Sequence, residues 1–145
     1  MINKLKIFLE YEQEILVSLV QLAESQRNAL IRYNISELEL VTAQQAELSK
    51  KLRQAEEQRI SLLMTWLNLQ RKEALEMQMS KLAENLDGED KRFIIIFKER
   101  FTLIVEKLSA LSVLNRLLAN RAKNNVGELL AFLTNGTNHV CNVKI

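Results

Sequence analysis

The sequence predicts an all-α protein, an elongated antiparallel helical hairpin or three-helix coiled-coil bundle. Three observations carry that prediction. The 145-residue chain holds no proline and only three glycines, Gly88, Gly127 and Gly136, so the residues that break helices and build turns are nearly missing. Leu, Glu, Gln, Lys, Arg and Ala dominate, and these lose little side-chain entropy in a helix. Apolar residues recur mostly at steps of three or four, the period of one helix face. A hydrophobic fraction of 48% beside a charged fraction of 26% is ordinary for a folded protein and argues against disorder.

The first helix is expected from about residue 3 to about residue 33. Its stripe includes Leu5, Phe8, Leu9, Ile15, Leu16, Leu19, Leu22, Ala23, Ala29, Leu30 and Tyr33. A turn follows at Arg32 to Ser36, with Ser36 as N-cap and Glu39 completing a capping box. The second helix carries Leu38, Val41, Leu48, Leu52, Ala55, Leu62, Leu63 and Trp66, with Gln44, Gln45, Glu56, Glu57 and Arg59 filling its polar face. Trp66 reads as an anchor in a helix–helix seam rather than a ligand-stacking residue. From Asn68 to Leu86 the spacing of Leu75, Met79, Leu82 and Leu86 predicts a short helix or a bent continuation of the second. Asp87-Gly88-Glu89-Asp90 is the clearest break, a flexible glycine beside acids that favour a helix start. The last helix is expected from about residue 90 to about residue 134, with Gly136 as C-cap. That sets a helical domain over residues 1–136 and a flexible tail over 137–145. Phe93 to Phe97 alone has strand-like composition, and it lies inside a longer helical pattern.

Several function classes are excluded by what the sequence omits. Ferritin-like metal bundles need Glu-x-x-His from two helices, and the one histidine, His139, lies in the tail. Glu10 and Glu14 share a helix face, but as a metal site they would lack nitrogen ligands, so they read as solvated carboxylates. His139 and Cys141 stand two apart, in a tail that gives a nucleophile no rigid positioning. Neither GxGxxG nor GxxxxGK[ST] occurs, so no phosphate cradle is encoded. These readings predict no enzyme, no cofactor and no metal. Twenty basic and eighteen acidic residues are interleaved, which makes no sustained basic stripe for nucleic acid. No signal-peptide pattern opens the chain, and no apolar run approaches the ~20 residues of a bilayer span. With a single cysteine, the expected location is the cytoplasm.

The last helix carries the informative surplus. Only Arg116, Arg121, Lys123 and Glu128 are charged between Ala110 and Leu133. Placing residues at 100° intervals gives one stripe of Leu111, Leu114, Leu118, Ala122, Leu129 and Phe132, with Val126 and Leu133 at its edge. Val113, Leu117, Leu130 and Ala131 fall away from it. Such a surplus fits a wide core face or homodimer seam, or a surface for a partner's amphipathic helix. The candidate partner-binding residues are Leu111, Val113, Leu114, Asn115, Leu117, Leu118, Asn120, Val126, Leu129, Leu130 and Leu133.

The chain resembles the FlgN family of bacterial flagellar export chaperones over most of its length. The likeness shows in Leu9-Glu10-Tyr11-Glu12-Gln13-Glu14, in the Asn34-Ile35-Ser36-Glu37-Leu38 turn, and in Glu47-Leu48-Ser49-Lys50-Lys51-Leu52 with Glu57-Gln58-Arg59 and Leu62-Leu63 after it. It is clearest in Leu114-Asn115-Arg116-Leu117-Leu118-Ala119-Asn120, two asparagines five apart with Leu between. The tail His139-Val140-Cys141-Asn142 departs from the Tyr-plus-Gly element that members often carry there. The resemblance implies a cytoplasmic chaperone that binds the C-terminal helices of the hook–filament junction proteins FlgK and FlgL. It would hold them unpolymerised and deliver them to the flagellar export apparatus. It also implies that binding falls on the later part of the last helix, with Asn115 and Asn120 bonding across the helical seam. The alternative reading is a structural homo-oligomeric coiled-coil subunit that uses the same stripe for self-association.

Overall fold

A computed structural model describes residues 1–138. Five helices follow one another: α1 (Ile2–Arg32), α2 (Ile35–Leu67), α3 (Arg71–Glu76), α4 (Met79–Glu84) and α5 (Gly88–Asn138). No strand occurs among the described residues. At 1.5 Å per residue the three long helices span about 47, 50 and 77 Å.

Helix α1 is the centre. It packs against both α2 and α5, whereas among the described residues α2 and α5 make no close backbone approach to each other. Cross-links along α1 set the directions. Glu12 meets Arg59 and Gln26 meets Gln45, so α1 and α2 run antiparallel. Lys6 meets Asp90, Ala23 meets Asn115 and Tyr33 meets Asn125, so α1 and α5 run parallel. The α3–α4 segment closes the base, where α5 starts back up the molecule.

The turn between α1 and α2 differs from its expected form. The N-cap is Asn34, not Ser36: its backbone is extended and its Oδ1 accepts from Glu37 N–H at 3.2 Å. Ser36 already lies inside the helix. Asn34, two residues earlier, satisfies an orphan donor of the first turn and its Nδ2 donates to Glu37 Oε2 at 3.3 Å, so the cap pairs Asn34 with Glu37 through their side chains rather than Ser36 with Glu39. Tyr33 ends α1 in the left-handed region at φ 54°. Between Asn68 and Leu86 there are two helices of six residues each, not one. Gln70 N–H donates to Glu73 Oε1 at 3.1 Å and starts the first of them. Helix α5 begins at Gly88, whose φ of 58° suits a residue without Cβ. It runs through the expected stop at Gly136 as far as Asn138. Tail residues 139–145, with His139 and Cys141, lie outside the described residues, as do the side chains of Leu129 and Phe132.

The core is deepest at the base. Leu5 and Leu9 of α1, Ile60 and Leu63 of α2, Leu82 and Ala83 of α4, and Ile94 and Phe97 of α5 form one cluster, with Trp66 packed on its edge. Phe93, Phe97 and Phe101 stack in sequence at 6.0 and 5.5 Å between ring centres. Higher up, Ile15, Leu16, Leu19 and Ala55 form a second cluster, and Val20, Ala23 and Leu111 a third.

Candidate functional site

Helix α5 meets α1 through a single stripe: Ile94, Phe97, Phe101, Ile104, Leu108, Leu111, Asn115, with Leu118 and Ala122 half-buried beyond. The steps of three and four keep one face turned inward. This phase corrects the sequence expectation in two places. Leu114 is exposed, because Asn115 takes the inward position beside Leu111. Asn120 is exposed on the outer side and does not bond across the seam.

Outside that stripe, α5 presents Val113 at 52% and Leu117 at 60% exposure, four residues apart and so on one ridge. Leu103 and Leu114 are exposed nearby, and Val126, Leu130 and Leu133 are exposed further along. A small apolar cleft of about 290 Å³ opens where Tyr33 and Ile35 at the turn approach Ala122 and Val126. Leu111 is buried against α1, so it supports the ridge from behind.

A longer groove of about 470 Å³ runs between α2 and α5, floored by α1. A chain of carboxamides crosses it. Asn115 Nδ2 donates to Ala23 O and to Gln26 Oε1, both at 2.9 Å, and Gln45 Nε2 donates to the same Gln26 oxygen at 3.2 Å. Three helices are tied at one level by three side-chain amides and a backbone carbonyl. Asn115 is only 5% exposed, and its Oδ1 has no hydrogen-bond partner.

Glu12 is the other buried polar or charged residue among the described residues, at 1% exposure. Arg59 Nε donates to both its oxygens at 3.0 Å. Arg59 is therefore not a solvated polar-face residue as its charge suggests. Burial pushes the Glu12 carboxyl above its ordinary range, and Arg59 pulls in the opposite direction without cancelling it. The signal for this pair was available, since Glu12 sits three after Leu9 and four before Leu16, on the apolar stripe itself. Glu10 and Glu14 are exposed. Among the described residues, no group of three or more His, Cys, Asp or Glu could hold a metal ion, and no helix is long and apolar enough to cross a membrane.

What the arrangement offers is surface: an apolar ridge and an open interhelical groove on a long helical scaffold. That defines an all-α protein of long packed helices with apolar surface to spare. The family model described as FlgN protein matches residues 1–143. The chain belongs to the FlgN family, whose members are flagellar export chaperones. No curated protein and no solved structure matches it.

Proposed function

We propose that this chaperone captures the C-terminal helical segments of the hook–filament junction proteins FlgK and FlgL in the cytoplasm. It keeps them unpolymerised and passes them to the flagellar export apparatus. The observation that carries the reading is the exposed apolar ridge of α5, Val113 and Leu117 above all, on a helix already anchored by its opposite face. Leu114, Val126, Leu130 and Leu133 extend that exposed surface along α5. Leu111, Asn115 and Leu118 hold the helix in place beneath it, and Asn120 and Leu129 complete the binding segment along the chain. Each Val or Leu covered by a partner contributes roughly 1.5–3 kcal/mol, so a few of them offset the cost of association.

Light scattering after size exclusion tests the reading. The wild-type chain with a FlgK C-terminal segment should give a one-to-one complex, and the V113D/L117D double variant should remain alone. A tight dimer indifferent to the segment would instead favour a structural homo-oligomer. Unfolding of the double variant would mean that these side chains are core.

A further inference from the structure

A second open groove, of about 720 Å³, lies between α4 and the first half of α5. Met79 and Ala83 form its α4 side. On the α5 side Ile95 and Leu103 stand 43% and 65% exposed. Charged residues flank these two, and their order is the informative feature. Along α5 come Lys91, Lys98, Glu99 and Glu106, two bases and then two acids. None of the four makes an ion pair among the described residues. None has an opposite charge three or four residues away on α5, the spacing that pairs charges on one helix.

We infer that this groove is where a second copy of the chain docks, α5 against α5 in antiparallel, about a two-fold axis between Lys98 and Glu99. Turned end for end about that point, the row is its own complement. Lys91 comes level with Glu106 of the second copy, and Lys98 with Glu99. The two-fold repeats both pairs, so charges that the single chain leaves alone all find opposite partners. Ile95 comes level with Thr102 and beside Leu103, which covers the apolar centre of the groove. In-register parallel pairing would instead set base against base and acid against acid, a costly arrangement. An unrelated partner would impose no such order on this helix, whereas a two-fold contact needs a self-complementary surface. From Lys91 to Glu106 the row is about 22 Å long, or four helical turns. A contact of that length belongs with the small, transient interfaces, so the dimer is a weak one, with a Kd roughly in the micromolar range. The second copy's α5 begins at Gly88, which this register sets level with Ser109. Val113 and Leu117 therefore stay uncovered. The inference stands beside the chaperone reading without resting on it, since each copy keeps its own ridge.

Sedimentation equilibrium of the full chain, from about 1 to about 300 µM, brackets that Kd and should show monomer giving way to dimer. Charge reversal then tests the pairing. The K91E/K98E variant makes the α5 side of the groove all acid, and the E99K/E106K variant makes it all base. Each variant alone should dimerise about a hundredfold more weakly than wild type, because like charges then face each other. Mixed in equal amounts, the two should form a heterodimer at least as tight as the wild-type dimer. Raising NaCl from about 0.05 M to about 0.5 M should weaken the wild-type dimer about tenfold, as screening of exposed pairs demands. All four side chains are exposed, so the circular dichroism melts of both variants should match wild type. A wild-type chain that stays monomeric throughout overturns the inference, and so does a pair of variants that fail to associate when mixed. A dimer that survives both reversals and is lost in V113D/L117D would move self-association to the ridge and overturn it as well.

Discussion

The base of the bundle and the far half of α5 are built from the same kinds of residue and do opposite things with them. At the base, all five helices contribute to the cluster around Leu5, Leu9 and Ile94, so α5 is covered there by several neighbours, although Ile7, Leu75, Ile95 and Ile96 stay exposed on the outer faces. Along the far half, α5 touches only α1, so a helix with apolar residues on two sides can hide one of them. The lesson is geometric. A single neighbour covers about one face of a helix, so leucine content alone does not make a core; the number of surrounding helices does.

Identical truncations in the two regions should separate them most sharply. Ile94→Ala should cost about 3 kcal/mol in urea unfolding, as a fully buried aliphatic does. Leu114→Ala should cost less than about 1 kcal/mol, because the side chain is exposed. Equal losses would erase the distinction. The next effect concerns the buried acid between the regions. Folding raises the Glu12 carboxyl above its ordinary 4.5, so the folded state holds that proton more tightly. Its contribution is therefore fully present below 4.5 and declines as pH rises through the raised value. The stability of wild type relative to Glu12→Gln should fall as pH rises above the ordinary 4.5. A difference that instead grew with pH would mean that Arg59 outweighs burial. Smaller still, V113D/L117D should change unfolding stability by no more than about 0.5 kcal/mol per site, as surface changes do. The smallest effect belongs to Arg71 and Glu57, a two-bond ion pair in open solvent. Arg71→Ala should leave the melting temperature unchanged.

Much of this was readable from the chain. The three long helices, their break at Gly88 and the inward run of Leu5, Leu9, Leu16 and Leu19 follow from period and from the missing prolines. The surplus on α5 was also visible, since Val113 and Leu117 fall off the stripe by simple rotation. What periodicity could not supply was phase. Leu114 and Asn115 are adjacent, and a hydrophobicity rule assigns the inward place to the leucine. The structure assigns it to the asparagine, because Gln26 and the Ala23 carbonyl lie opposite. Such a choice depends on a residue some ninety positions away. The Asn34 cap was missed for a local reason: two capping candidates, Asn34 and Ser36, each have a glutamate three residues on, and only backbone geometry picks between them.

The parallel pairing of α1 with α5 also sets an order of events. Contacts between α1 and α2 close loops of 19 and 47 residues, while those between α1 and α5 span 84 to 92. A chain emerging from the ribosome can zip α1 to α2 once Leu67 has appeared. One flank of α1, with Val20 and Ala23, must wait until Leu111 is made. For that interval the nascent hairpin is itself sticky and half-clothed, and a short-lived holder at the tunnel exit would find on it an uncovered greasy stripe.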